Sequence, residues 1–223
     1  MQRIGHMIGG RLRRRAFTMV EMLTVIAVIV LLLAIGVPSV NKMRANILRE
    51  ATKSTIYGIE GGCEQYKTDL REYPASTGPI IGNTTMDGRY MLAQYLTGYR
   101  TDDGITGFGF RIGKSIQYGP YNRLEDAQMA SSGSNQAFVD SFGQEIYYYR
   151  CDRRGAASTE SYYSADNSGG PPISASGTSY VTDQTGKLFR TDYVLMSKGA
   201  NGNWDSFVDN ARTDDITNFL QEN

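Results

Sequence analysis

Phe17-Thr18-Met19-Val20-Glu21-Met22-Leu23-Thr24-Val25-Ile26-Ala27-Val28-Ile29-Val30-Leu31-Leu32-Leu33-Ala34-Ile35-Gly36-Val37-Pro38 decides how the rest of the chain is read. No charged residue occurs from Met22 to Asn41, and Val25–Val37 is apolar without a break. At a rise of about 1.5 Å per residue, about 20 helical residues cross a hydrocarbon layer of roughly 30 Å. The stretch therefore predicts a transmembrane helix over 22–41. Five arginines (Arg3, Arg11, Arg13, Arg14, Arg15) and no acid precede it in residues 1–16. Positive charge beside a span stays on the cytoplasmic side, so the N-terminus is expected in the cytoplasm and residues 42–223 outside. A cleaved secretory signal needs a small-residue cleavage site after the apolar run, and Pro38-Ser39-Val40-Asn41-Lys42-Met43 matches one poorly. Glu21 is the residue that a plain anchor does not explain. A carboxylate at the edge of a span is expensive, and ionisable groups there are functional by default. An α-amino group made by cutting before Phe17, in the same chain or a neighbour, would be its natural partner.

The rest of the composition narrows the function classes. The chain has 223 residues, of which 40% are hydrophobic, with 15 Tyr and 8 Phe to build a core. Basic and acidic residues number 23 each, so no global surplus points to nucleic acid. Beyond residue 16 there are 18 basic and 23 acidic residues. The single histidine, His6, lies in the basic leader. Without the leader no imidazole is left to activate a serine or hold a metal. Gly107-Phe108-Gly109-Phe110-Arg111-Ile112-Gly113 spaces its glycines too loosely for a phosphate loop. Asp102-Asp103 is an adjacent acidic pair, but paired carboxylates need a pocket to do acid–base work. No enzymatic activity is expected. Two cysteines are too few for a disulfide scaffold or a four-cysteine zinc site.

Arg15-Ala16-Phe17-Thr18-Met19-Val20-Glu21-Met22-Leu23-Thr24-Val25-Ile26 resembles the prepilin cleavage motif of type IV pilins and type II secretion pseudopilins. Glu21 is the fifth residue counted from Phe17, where that family has its Glu, and Pro38 is the twenty-second, where it has a helix-kinking Pro. The resemblance implies a leader, residues 1–16, cut between Ala16 and Phe17 by a membrane prepilin peptidase that also N-methylates Phe17. It implies assembly through Glu21 and the helix around Pro38 into a homopolymer with minor pseudopilins, on an inner-membrane assembly platform. Ala16 departs from the usual Gly before the cut. A type IV pilin of a surface pilus is the alternative within the filament class. A membrane-anchored periplasmic binding domain is the alternative outside it.

Residues 42–70 predict an amphipathic continuation of the helix, with Met43, Ile47, Ala51, Ile59, Cys63, Tyr66 and Leu70, beside Leu48 and Ile56, on the apolar face. Gly58, Gly61 and Gly62 imply close packing on that turn or a local break. Tyr73-Pro74 predicts the helix end, since the residue before Pro is pushed out of the helical region. The segment from Cys63 to Pro74 resembles the helix exit of major pseudopilins. Further on, a short helix is expected over Gly88–Thr97, a turn into a strand over 138–149, and a strand over Tyr193–Ser197. Residues 104–123 suggest loop with short strands. Thirteen of residues 155–179 are Ser, Gly or Pro, which predicts a long loop. The expected fold is α+β and pilin-like: a helix over 17–73 packed on a small antiparallel sheet with long loops in a globular domain, 74–223. A Cys63–Cys151 bridge is left open, because both residues would face an oxidising compartment.

The C-terminal region offers a cation site. Ser197-Lys198-Gly199-Ala200-Asn201-Gly202-Asn203-Trp204-Asp205 leads on to Thr213-Asp214-Asp215-Ile216. Its donors are hard oxygens, which suits Ca²⁺ better than zinc. Asn201, Asn203 and Asp205 have the 1, 3, 5 spacing of an EF-hand loop, but the later positions of that motif fail. The segment resembles the calcium loop of major pseudopilins. Carried over, Asn201, Asp214 and Asp215 supply ligand side chains, and backbone carbonyls near Lys198 and Asn203 complete the shell. Asn201 stands where the family has Asp. A solvated acidic loop is the alternative.

Overall fold

The computed structural model describes residues 17–77, 79–80, 84–98, 110–112, 116–122, 129–132, 135–153, 161–171, 173, 181–182, 187–205 and 214–219. Ala16, Asp102-Asp103 and most of the glycine-spaced 107–113 run lie outside them. The described residues up to Arg44 belong to one compact unit and those from Ala45 to another.

Helix α1 runs Met19–Leu70. Its apolar stretch is long and apolar enough to cross a membrane, a property that a signal sequence near an N-terminus shares. Every described side chain from Phe17 to Ile47 is exposed. The helix runs through position 38 with no interruption in its assignment. It stops at Leu70, where Arg71 takes φ 69° and its N–H reaches the Lys67 carbonyl at 2.8 Å. The stop therefore comes a few residues before Tyr73-Pro74.

From Ala45 on, one face of α1 is buried, and it is narrower than the periodicity suggested. Ile56, Ile59, Cys63 and Tyr66 enter the core, while Met43, Ile47 and Ala51 remain exposed. Thr52 and Thr55 are buried instead, each returning its hydroxyl to a backbone carbonyl four residues earlier. That bond is what allows a Thr to lie on an apolar face. Gly62 fills a close approach, since a Cβ there would stand 3.3 Å from both Leu96 Cδ1 and the Tyr121 carbonyl. Gly58 and Gly61 meet nothing within 4 Å among the described residues, and α1 continues through both without a break.

Antiparallel pairs β1 (Pro79–Ile80) with β2 (Thr84–Thr85), β3 (Phe110–Ile112) with β4 (Ile116–Tyr118), and β5 (Met129–Ser132) with β6 (Asn135–Phe138) form three small ribbons. Helix α2 (Gly88–Thr97) occupies the predicted range and ends on Gly98 in the left-handed conformation. The central sheet has order β7-β8-β9, with β7 at Tyr147–Arg150, β8 at Tyr193–Ser197 and β9 at Ile216–Thr217, all antiparallel.

Strand alternation divides the core into two layers. Tyr148, Tyr193 and Leu195 face α1 and join Ile56, Ile59, Cys63, Leu92 and Leu96. Tyr147, Tyr149, Val194 and Met196 face the other way, against Tyr162, Ile173 and Val181. All five residues of β8 are buried because both faces are covered. This α+β arrangement, a long N-terminal helix with a small antiparallel sheet, is the coarse form of the expected fold. The same parity answers the disulfide question. Cys151 packs with the layer of Tyr147 and Tyr149, whereas Cys63 lies in the helix-facing layer. The structure has no disulfide between them. Burial pushes the Cys63 thiol well above its ordinary range, which keeps it protonated and unreactive.

Candidate functional site

The start of α1 contains a local arrangement that sequence reading missed. Thr18 and Glu21 form a reciprocal capping box. The Thr18 N–H and Oγ1–H both donate to Glu21 Oε2 at 2.8 Å, and the Glu21 N–H donates to Thr18 Oγ1 at 3.2 Å. The Thr-x-x-Glu pattern immediately before an apolar run was the available signal. Glu21 thus has a role within its own chain as N-terminal cap. Phe17 is exposed beside it.

The second cluster is built by the loop after β8 and the residues entering β9. Asp140 begins the predicted turn: its Oδ1 accepts the N–H groups of Phe142 at 2.8 Å and Gln144 at 2.7 Å, and Gly143 has φ 83°. Its Oδ2 accepts the Ser197 hydroxyl, and Ser197 Oγ in turn accepts the Gly199 N–H at 3.1 Å. Gly199, at φ 62°, brings its Cα against the Asp214 carbonyl, where a Cβ would collide. A single glycine therefore seats the loop on the Asp214 backbone. A short 3₁₀ turn, Gly199–Asn201, follows.

Three carboxylates converge there. One oxygen each from Asp205, Asp214 and Asp215 lies within 4.8 Å of the others. Each of the last two has one oxygen tied and one bare. Asp214 Oδ2 accepts the Asn201 N–H at 2.6 Å, and Asp215 Oδ2 accepts the Asp205 N–H at 2.9 Å. Oδ1 of Asp214 and Oδ1 of Asp215 are buried and have no hydrogen-bond partner among the described residues. Asp215 is 4% exposed. Its carboxyl is pushed up to about 7, chiefly by burial and also by the charges of Asp205 and Asp214, against the downward pull of the Asp205 N–H and of Lys198. Asp214 is raised by burial and by sharing with the Asp205 carboxyl. Lys198 does not neutralise them by an ion pair. Its Nζ sits over the rings of Trp204, at 5.5 Å, and Tyr147, at 5.6 Å.

Like charges at this spacing with bare, buried oxygens suit a hard cation, and Ca²⁺ takes carboxylate oxygens at about 2.3–2.6 Å. Asp214 and Asp215 are where the sequence reading put ligands. The sequence reading also put a ligand at Asn201, whose Oδ1 here accepts the Asn203 N–H at 2.6 Å and whose Nδ2 faces the Asp205 carboxylate at 3.2 Å. Asn201 shapes the loop, and Asp205 supplies the third carboxylate. In the sequence Asp205 belongs only to the EF-hand spacing, whose later positions fail. Asn203 uses its side chain to cap the Asn201 carbonyl at 3.1 Å.

Comparison of the chain with family models, with curated proteins and with solved structures finds no match in any of the three.

Proposed function

We propose that the chain is a structural subunit of a membrane-anchored helical filament, a pseudopilus of the type II secretion kind. The observation that carries this reading is the segment that leads from Phe17 into α1: it bears Glu21 as its one charged residue before Lys42 and exposes every described side chain from Phe17 to Ile47. Such a surface is unfavourable in water over its whole circumference and suits lipid first and neighbouring helices afterwards. A prepilin peptidase removes residues 1–16 on the cytoplasmic face and methylates Phe17. The subunit then waits in the inner membrane with its C-terminal domain in the periplasm, and polymerises on the assembly platform with copies of itself and minor pseudopilins to help drive protein export. Asp205, Asp214 and Asp215 bind Ca²⁺ and tie the loop after β8 to the chain entering β9. That acidic cluster favours the pseudopilus over a type IV surface pilus.

One observation favours a second reading, an anchored periplasmic binding domain that stays single. The Thr18–Glu21 capping box satisfies Glu21 within one chain. Photo-crosslinking from Leu31 in membranes separates the two. A ladder of self-adducts, lost in Glu21→Ala while leader removal continues, is expected of the filament subunit. Monomeric chains throughout would leave the anchored domain.

A further inference from the structure

We infer that Asp140, which stands outside the three carboxylates, is the positioning residue of the cation site: through the Ser197 hydroxyl it fixes the Gly199 peptide against Asp214 before an ion binds. This rests on the cation reading above and extends it to the turn that leads into β7, 57 residues before Ser197. The site it serves holds a buried oxygen, Oδ1 of Asp215, with no hydrogen-bond partner among the described residues.

The two oxygens of Asp140 have separate tasks. Oδ1 serves the turn itself, accepting the N–H groups of Phe142 and Gln144. The Asp140 N–H closes the same turn on the Gln144 carbonyl at 2.8 Å. The Ser141 N–H ties it to α1, donating to Thr52 Oγ1 at 3.1 Å. The turn is thus a support built without help from the cation loop. Oδ2 reaches out of it to the Ser197 hydroxyl.

A hydroxyl has one proton to give and lone pairs to receive. With its proton committed to Asp140, the Ser197 oxygen is left as an acceptor, and the Gly199 N–H fills it at 3.1 Å. Asp140 and Ser197 are both buried, so solvent does not stand in for either partner. Strand β8 does not need this hydroxyl, since Ser197 pairs with Ile216 through the backbone.

A peptide unit is planar, so holding the Gly199 N–H fixes the plane that joins Gly199 to Lys198. Glycine otherwise allows that plane to turn over, which would carry Gly199 away from φ 62°. At this φ the space a Cβ would take lies against the Asp214 carbonyl and 3.3 Å from Asp214 Oδ2. The Asn201 N–H, on the same short turn, takes that Oδ2 at 2.6 Å. The plane held by Ser197 therefore decides how Asp214 meets the loop.

The test uses the full chain in detergent micelles. Residue-resolved hydrogen exchange in EGTA should find the Gly199 amide of the wild type already protected. A Gly199 amide that gains protection only with Ca²⁺ would mean that the ion sets the plane, and would overturn the role of Asp140. Asp140→Asn keeps an oxygen for the turn but offers Ser197 a donor in place of an acceptor. Ser197→Ala removes the hydroxyl and leaves the turn intact. By isothermal titration calorimetry, each should weaken Ca²⁺ binding about tenfold, the order of one net hydrogen bond. The double variant should bind no more weakly than the weaker single one, because both act through one bonded chain. Losses that multiply in the double variant would show two unconnected structural effects and overturn the proposal, as would wild-type affinity in both single variants. A wild type that binds no Ca²⁺ would remove the cation site, and the proposal with it. Should neither variant fold, the wild-type Gly199 exchange decides.

Discussion

Leu23, Val28, Leu32 and Val37 are 70%, 54%, 64% and 56% exposed, while Ile56, Ile59 and Cys63, further along the same helix, are 1%, 0% and 0%. Both stretches are apolar, yet only the second belongs to a core. In the first, no face is polar and no face is covered. In the second, apolar residues occupy one face and Glu60, Glu64 and Lys67 hold wetter positions. The difference teaches that burial in this chain does not follow hydrophobicity. It follows whether polar residues define a direction for the apolar ones to face. A helix apolar all round has no such direction and calls for a different solvent.

The sharpest way to break that comparison is to put the same charge into each stretch. Ile59→Asp buries an unpaired carboxylate beneath the sheet. Its cost, several kcal/mol, is a large part of the about 5–15 kcal/mol that holds a domain together, so the C-terminal domain should fail to fold. Val30→Asp should leave the domain's melting unchanged and instead weaken membrane insertion by about 2.5–3.5 kcal/mol. Near-UV circular dichroism and carbonate extraction measure the two effects. A lowered domain melt in Val30→Asp would mean that the first stretch is not independent of the core.

A smaller effect is expected at the acidic cluster, where burial is of charge. Free Ca²⁺ should stabilise the folded domain by RT ln(1 + [L]/Kd), about 2.7 kcal/mol at a hundredfold excess over Kd, seen as a higher melting midpoint. Asp215→Asn should largely abolish the increment. An equal rise with Ca²⁺ and with Mg²⁺ would point to screening rather than coordination.

The pH dependence sharpens the same point. Burial holds the Asp215 carboxyl up at about 7 in the folded chain, against an ordinary value of 3.8. Between those values the folded state binds more protons than the unfolded one, so stability without cation falls as pH rises through that window. Asp140 is also raised by burial and adds a slope of the same sign. Ca²⁺ should flatten the part that comes from Asp214 and Asp215 and leave that of Asp140, so the difference between melts with Ca²⁺ and with EGTA should widen from about pH 5 to about pH 8. A constant difference would contradict the assignment.

The smallest effect lies within the buried stretch itself. Gly61→Ala meets open space and should stabilise the domain by about 0.5–1 kcal/mol, the helix-propensity gain. Gly62→Ala should gain nothing, because its new Cβ presses on Leu96 and the Tyr121 carbonyl. Chemical denaturation of the two variants side by side resolves this.

What could be read from sequence tracks the same division. The apolar span, α2 and β8 were legible because each carries a strong local pattern. The buried face of α1 was legible from Ile56 to Tyr66 but was extended too far back to Met43. Apolar periodicity reports which residues can be buried, and only the tertiary fold decides where burial starts. Thr52 and Thr55 were missed because their polarity is cancelled by bonds to their own helix. Asp214 and Asp215 were legible as a pair, but Asp205 was not, since its approach depends on the Gly199 turn against Asp214. The capping box is written in four residues, Thr18 to Glu21, but the same glutamate at the edge of an apolar span equally suits a partner outside its chain.

The central claim is that Phe17 begins a processed, membrane-embedded filament helix. Intact-mass measurement of the full chain, extracted from membranes of cells with an active prepilin peptidase, tests it most directly. The predicted mass lacks residues 1–16 and carries one added methyl group on Phe17. A mass that retains the leader, or a cut at any other bond, would contradict it.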